Sequence, residues 1–299
     1  MSGVLQAVSA ALVETVAAAE AGVVRVEGRR RLPATGIVWS ADGLIVTSSH
    51  ALERERDLSV GLAGEQRVAA TLVGRDAATD LALLRAEATA LNPLPWAEPD
   101  QAAVGALVLA LGRPSLKVLA TLGILSAVDG PWTTPAGGLI DNYLQTDAVM
   151  YPGFSGGPLV DGEGRVVGMN SSALAPGLGV AVPAPTVRRV VAALLSGKRV
   201  ARGYLGVTAQ SVPLPQALAT QLGQPSGLLL THIEPRSPAE QGRLVQGDTL
   251  VQLNGRPLRD LRDLQAVLGG EPGRAALPLK LVRAGQLRDQ TITLGERAG

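Results

Sequence analysis

The sequence predicts a mainly β protein built from two modules. Short apolar runs separated by turn residues fill the chain from Val23 to Val182. A single helical period follows, and short strands then resume as far as Leu294.

The opening MSGVLQAVSAALVETVAAAEAG places Leu5, Val8, Leu12 and Val16 at helical spacing. Residues 1–22 therefore read as an amphipathic helix that packs on the fold. The stretch has no basic leader, carries Glu14 and Glu20, and reads as too polar to span a bilayer. VVRVEG, ATGIVWS, LIVTSS, RVAATLVG, LALLRA, LVLAL, VLATLGILSAV, RVVGMN and GVAVP are strand-like. Ala41-Asp42-Gly43 and Asp161-Gly162-Glu163-Gly164 supply hairpin turns. Many short strands with little helix point to a barrel or a sandwich.

In APTVRRVVAALLSGKRV the face Val187, Val190, Val191, Leu194 and Leu195 predicts a helix, with Thr186 as its cap and Gly197 at its end. That helix closes a first domain over 23–200, and Lys198 to Arg202 reads as a linker. YLGV, GLLLTHI, TLVQLNG, ALPLKLVR and DQTITL, with one helix near LRDLQAVL, form an α+β module over 203–296.

Composition narrows the chemistry. The 299 residues hold no cysteine, which excludes thiolate nucleophiles, disulfides and cysteine zinc sites. Histidines occur only at His50 and His232, so any imidazole chemistry uses one of two positions. A net charge of +1 and 2% aromatic residues argue against a nucleic-acid partner. No metal or organic cofactor is implied, and the chain as written reads as cytoplasmic, with another compartment the alternative if a leader is missing.

The stretch 151-YPGFSGGPLV-160 holds the candidate nucleophile. A serine hydroxyl needs a base to take its proton and donors to stabilise the oxyanion, and the glycines around Ser155 permit a turn that aims successive N–H groups at one spot. Gly153-x-Ser155-x-Gly157 also fits the nucleophile elbow of α/β-hydrolases, a lipase or esterase reading. That elbow needs a helix next, whereas Pro158 and PLVDGEGRVVGMN read as a hairpin. The other order, histidine then acid then serine, belongs to two-barrel chymotrypsin-like folds. His50 ends the strand 45-IVTSSHAL-52 and Asp80 opens 80-DLALLR-85. Asp80 would orient His50, His50 would take the Ser155 proton, and the Gly153 and Ser155 amides would form the oxyanion hole. Asp76, in the GRDAAT turn, and Asp147, before the serine loop, are the rival acids.

The set ATGIVWSADGLIVTSSHAL, TDLALLR, TDAVMYPGFSGGPLV and GLGVAVP resembles the protease domain of the HtrA/Deg family of trypsin-like serine proteases. RGYLGV, GLLLTHIEPRSPAEQGRLVQGDTLVQLNGRPLRDLRDL and ITLGER resemble that family's PDZ domain. The resemblance implies a chymotrypsin-like double β-barrel followed by an α+β PDZ domain. It implies His50, Asp80 and Ser155 as the triad, Gly153 as the oxyanion glycine, and a homotrimer. Val149 matches the floor of the specificity pocket, with Val180 in GLGVAV as a further wall, which predicts cleavage after small aliphatic residues. Tyr204, Leu205, Gly206 and Val207 match the loop that receives a peptide C-terminus, with Leu205 and Val207 offering an apolar pocket. His232 reads as a packing residue of that module.

The chain departs from the family where asparagines give way to Tyr151 and Phe154. Phe154, the sole phenylalanine, offers no carboxylate to pair with a freed N-terminus. It either packs or stands exposed in the substrate cleft. The function read from the sequence is an ATP-independent serine endopeptidase acting on unfolded or misfolded polypeptides in protein quality control. The alternative is a PDZ-containing peptide-binding or chaperone-like protein with a latent protease domain.

Overall fold

The computed structural model describes residues 2–98, 102–134, 136–175, 177–197, 202–270 and 274–297. The chain divides into two compact units, 1–198 and 199–299. Of the expected linker only Arg202 lies within the described residues, as the first residue of a strand.

The first unit begins with α1 (Ser2–Ala19), followed by β1 (Val23–Glu27), β2 (Ala34–Val38), β3 (Leu44–Ser48), β4 (Leu58–Gly61), β5 (Arg67–Asp76) and β6 (Leu81–Ala86). These strands close a barrel in the order β1-β2-β3-β6-β5-β4, with β4 returning to β1 through Val26 opposite Val60. Val24, Val26, Val38, Ile45, Val60 and Leu84 fill it. Aliphatic, β-branched side chains suit a pleated surface buried on the inner face, so the apolar runs become strands.

A second barrel repeats the plan with β7 (Leu107–Gly112), β8 (Leu119–Asp129), β11 (Tyr143–Thr146), β12 (Pro158–Asp161), β13 (Val166–Ser171) and β14 (Gly179–Pro183), closed in the order β11-β14-β13-β12-β7-β8. Between β8 and β11 a small hairpin pairs β9 (Trp132–Thr133) with β10 (Leu139–Ile140). Both expected hairpin turns are present. Gly43 (φ +100°) joins β2 to β3 and Gly164 (φ +77°) joins β12 to β13, each in a backbone region that favours glycine. α2 (Ala184–Leu195) then packs against β13 and β14 of the second barrel and β5 and β6 of the first.

Several sequence expectations are corrected here. Thr186 does not cap α2: the helix starts after Pro183, and the Thr186 hydroxyl donates instead to Asp141 at 2.7 Å while accepting the Asp141 N–H at 2.8 Å. Leu195 stands exposed while Val187, Val190 and Val191 are buried. On α1 Thr15 and Ala19 are buried and Leu12 and Val16 half-buried, whereas Leu5 is 73% exposed and Val8 is exposed as well, so the expected packing face is covered only toward its C-terminal end. Gly3–Gly22, with a mean hydropathy of 1.4, is by length and composition apolar enough to cross a membrane, contrary to the reading of this stretch as too polar.

The second unit comprises β15 (Arg202–Tyr204), β16 (Val207–Pro213), α3 (Gln216–Leu222), β17 (Ser226–Ile233), α4 (Pro238–Gln241), β18 (Thr249–Leu253), β19 (Arg256–Pro257), α5 (Leu261–Gly270), β20 (Ala276–Arg283), β21 (Gln286–Thr293) and β22 (Gly295–Arg297). Its sheet runs β16-β17-β18-β20-β21, which leaves β16 at an edge, and β15 pairs with β22. Leu228, Leu230, Leu250, Leu253, Leu264, Leu279 and Ile292 form the core. α5 is the expected helix. α4 was not foreseen, although Ser237-Pro238 carries its start: the Ser237 hydroxyl accepts the Glu240 N–H and proline takes the first helical position.

Candidate active site

β3 and β6 pair antiparallel with Ser48 opposite Leu81, which brings the end of one beside the start of the other. A short turn, Ser49–Ala51, carries His50 off β3. Asp80, just before β6, adopts a left-handed backbone (φ +58°), a conformation that aspartate tolerates better than most residues. Its carbonyl accepts the Ser49 N–H at 3.0 Å. Its carboxylate accepts the His50 backbone N–H at 2.9 Å and lies 2.8 and 2.9 Å, by its two oxygens, from Nδ1 of the His50 ring.

Two serines complete the carboxylate's partners. Ser48 Oγ donates to Asp80 Oδ2 at 3.0 Å and Ser171 Oγ, from the end of β13 in the other barrel, donates at 2.6 Å. Burial works against ionisation of Asp80, but the hydrogen bond and charge of the His50 ring, the Ser171 hydroxyl and the His50 backbone N–H hold its carboxyl below the ordinary aspartate value of 3.8. With Nδ1–H directed at this carboxylate, the neutral form of the ring would carry its lone pair on Nε2.

The rival acids are engaged elsewhere. Asp76 closes its own turn, accepting from Thr79 Oγ1 at 2.8 Å and from the Ala78 N–H at 3.3 Å. Asp147 accepts the Ile124 N–H at 2.7 Å.

The serine loop joins β11 to β12 through two consecutive tight turns. In the first, the Phe154 N–H donates to the Tyr151 carbonyl at 3.0 Å, with Pro152 second and Gly153 (φ +93°) third, the residue pattern of a type II turn. In the next, Gly157 N–H donates to the Phe154 carbonyl at 2.9 Å around Gly156 (φ +87°). A Cβ on Gly156 would come within 2.1 Å of the Thr35 carbonyl oxygen, so no other residue fits there. Among the described residues neither the Gly153 nor the Ser155 N–H donates to a protein acceptor.

Phe154 is fully buried in the core of the second barrel, edge-on to Tyr151 at 5.8 Å and pressed on Gly112, where a Cβ would meet its ring at 2.4 Å. The exposed, cleft-lining alternative is thus set aside, because the turn points this side chain inward while Tyr151 faces solvent.

Ser155 Oγ lies 3.0 Å from Ser172 Oγ and accepts the Ser172 N–H at 3.4 Å. Ser172 Oγ in turn lies 3.4 Å from Nε2 of His50. The structure thus gathers His50, Asp80, Ser155 and Gly153 between the barrels and adds Ser171 and Ser172, which the sequence reading passed over. Their signal was only the polar pair ending the run RVVGMNSS.

Val149 is 56% exposed and its carbonyl accepts from Thr121 Oγ1, whereas Val180 is buried in β14 opposite Ser171 and Gln145. An apolar cavity bounded by Val128, Leu144, Val167 and Pro183 includes neither valine. In the second unit the Tyr204 hydroxyl donates to the Glu234 carboxylate, and Gly206 (φ +78°) precedes Val207 at the start of β16. Leu205 is buried in the core, so its part in an apolar binding pocket is corrected to a packing role. His232 lies in β17 opposite Thr208 but is exposed, not packed. Among the described residues no group of three or more His, Cys, Asp or Glu is placed to hold a metal ion.

Two barrels enclosing a Ser–His–Asp cluster, followed by a separate α+β unit, have the architecture of a trypsin-like peptidase with an added module. A family model described as a trypsin-like peptidase domain matches residues 34–169, and one described as a PDZ domain matches 195–282. A crystal structure of the serine endoprotease from Yersinia pestis is 30% identical, with a TM-score of 0.78 over 95% of this chain and 97% of that one. The HtrA-type protease AlgW with tripeptide is 27% identical, with a TM-score of 0.79 over 96% and 97%. A probable periplasmic serine endoprotease DegP-like of Chlamydia trachomatis is 33% identical over 90% of this chain and 55% of its own length. The chain belongs to the HtrA/Deg family of trypsin-like serine proteases, and it spans about half the length of the curated relatives it matches.

These relatives overturn the cytoplasmic placement read from the sequence. The curated DegP-like relatives are named periplasmic, and the helix Gly3–Gly22 is by length and composition apolar enough to cross a membrane.

Proposed function

We propose that the protein is a serine endopeptidase of the bacterial envelope that cleaves unfolded polypeptides. The observation that carries this reading is the His50 imidazole held by both oxygens of buried Asp80, with Ser155 Oγ linked to its Nε2 through Ser172 Oγ, 3.0 Å from the one and 3.4 Å from the other. Ser155 Oγ attacks the scissile carbonyl carbon while His50 Nε2 takes the hydroxyl proton. The carbonyl oxygen becomes an oxyanion facing the Gly153 and Ser155 N–H groups. His50 returns the proton to the leaving amine, which departs as the C–N bond breaks. Water, deprotonated by the same ring, then attacks the acyl-enzyme, and Ser155 recovers its proton.

Specificity for small or medium aliphatic residues is inferred from Val149 and Val180, which present no charge to pair with Lys or Arg. In the second unit the open edge of β16 suits addition of a peptide strand. The N–H groups from Leu205 to Val207 suit its terminal carboxylate, while the Leu205 and Gly206 carbonyls are taken by the Ala239 and Glu234 N–H groups. Protein quality control is the role this pairing of modules supports.

Degradation of a permanently unfolded casein, with Ser155→Ala as control, tests the reading. Fragments ending in Val, Ala or Leu are expected from the wild type and none from the variant. Fragments from both would remove Ser155 from the chemistry. A second reading, a latent protease that chiefly binds peptides, is favoured by one observation: the Ser155 hydroxyl is bonded to Ser172 and not to His50. Casein that is bound but left intact would select it.

A further inference from the structure

We propose that Thr35 is a positioning residue for the oxyanion loop, fixing by its own hydrogen bonds both residues whose N–H groups face the substrate oxygen. The inference rests on the serine-peptidase reading. Thr35 lies in β2 of the first barrel and is completely buried. Its hydroxyl donates to the Gly153 carbonyl at 2.7 Å, and its backbone N–H donates to the Ser155 carbonyl at 3.1 Å.

The direction of the hydroxyl bond leaves no choice. Thr35 Oγ1 accepts the Arg113 N–H at 2.7 Å, and its single proton is therefore left for Gly153 O, which can only accept. The Thr35 backbone is held as well, because its carbonyl accepts from Thr47 Oγ1 at 2.6 Å. The brace is thus satisfied at every polar atom and has one geometry.

What it holds is a peptide plane otherwise easy to turn. Gly153 (φ +93°) is the most permissive residue type, and rotation about its ψ swings the following peptide. The Gly153–Phe154 peptide is pinned at its carbonyl by Thr35 and at its N–H by the Tyr151 carbonyl at 3.0 Å. A planar unit held at both ends cannot flip. On the other side Pro152 has its φ locked by the ring. The peptide that carries the Gly153 N–H thus lies between Pro152, whose φ is locked, and a following peptide that Thr35 pins, which narrows the directions it can take.

The test compares Thr35→Val, which keeps the branched shape and loses the hydroxyl, with Thr35→Ser, which keeps the hydroxyl. Both are assayed in the full chain on a peptide substrate. Thr35→Val is expected to lower kcat by about 10–100-fold, short of the loss of a whole oxyanion donor, with KM within about threefold. Thr35→Ser is expected to stay within about threefold of wild type on both. A peptidyl boronate, whose tetrahedral adduct places an oxygen in the hole, should weaken on Thr35→Val by the same factor as kcat/KM. Substrate peptide should bind Ser155→Ala and Ser155→Ala/Thr35→Val equally, a split that a merely structural role would not give. If Thr35→Val does not fold, Thr35→Cys, with a weak thiol donor, is expected to show the same fall in kcat alone. Unchanged turnover in Thr35→Val or Thr35→Cys, equal loss of ground-state binding, or no rescue by serine would overturn the proposal. A wild type that forms no boronate adduct would overturn the serine-peptidase reading and this inference with it, and the missing wild-type adduct tells that failure apart.

Discussion

The Ser172 hydroxyl stands 3.0 Å from Oγ of Ser155, and the Ser172 N–H donates to the same oxygen at 3.4 Å. The nucleophile is thus tied to the end of β13, and to reach His50 its hydroxyl must rotate off Ser172. A neutral hydrogen bond contributes about 1 kcal/mol, or roughly fivefold in rate if it is broken before attack. Ser172→Ala is therefore expected to react about fivefold faster with a fluorophosphonate, measured as the second-order rate of labelling. A slower rate would mean that the Ser172 hydroxyl passes the proton to Nε2.

Asp80 sets the ring and contributes to stability in a pH-dependent way. Asp80→Asn is expected to lower kcat by about four orders of magnitude, since the amide no longer selects the tautomer with Nδ1 protonated. The Asp80 carboxyl in the fold titrates below 3.8, so its contribution is fully present above that value and is lost as pH falls through the lower folded value. Urea unfolding from pH 5 downward should therefore show the gap between wild type and Asp80→Asn closing in acid. A gap that widens would contradict the hydrogen-bonded carboxylate described here.

Phe154 anchors the serine loop from inside the barrel. Phe154→Ala is expected to destabilise the protein by about 3–5 kcal/mol, the usual cost of emptying a buried aromatic site. Phe154→Asn, the residue type usual in the family, is expected to be no better, because its amide would enter an apolar core already shaped to a ring. Chemical denaturation reads both. A change under about 0.5 kcal/mol, typical of surface sites, would show that the ring does not anchor the loop.

In the second unit Asp248 is fully buried and accepts from Arg283 at 2.7 Å through Nε and at 2.7 Å through Nη2, while the Val245 N–H donates to it at 2.9 Å. Removing the carboxylate takes the acceptor from the Val245 N–H and from a partly exposed Arg283, so Asp248→Ala is expected to cost about 1.5–3 kcal/mol. Peptide binding to the second unit should weaken with the unfolding of that unit and recover on cooling. Unchanged melting would mean that the pair is spectator to the fold.

Much of this arrangement was legible because β-branched apolar runs and glycine turns repeat clearly, and because His50, Asp80 and Ser155 each end or open such a run. β4 and β11 were missed for a physical reason. LSVG and YLQT are only four residues long, and their polar members face a neighbouring strand or a half-covered surface that no short-range pattern announces. Ser171 and Ser172 carry no motif, and their roles arise only when the second barrel brings β13 across to Asp80 and His50. Thr186 looked like a helix cap because its partner Asp141 is 45 residues away. The burial of Phe154 depends on which way the Tyr151–Phe154 turn faces, and that is set by Thr35, Gly112 and the barrel wall.

The central claim is that Ser155 is a nucleophile activated by His50. Fluorophosphonate labelling of wild type, Ser155→Ala and His50→Ala, with mass spectrometry of the modified peptide, tests it directly. A single adduct on Ser155, absent from Ser155→Ala and slowed at least a hundredfold in His50→Ala, roughly the gain a general base supplies, is the predicted result. An unlabelled Ser155 in the wild type, even with unfolded polypeptide present, or labelling indifferent to His50, would contradict it.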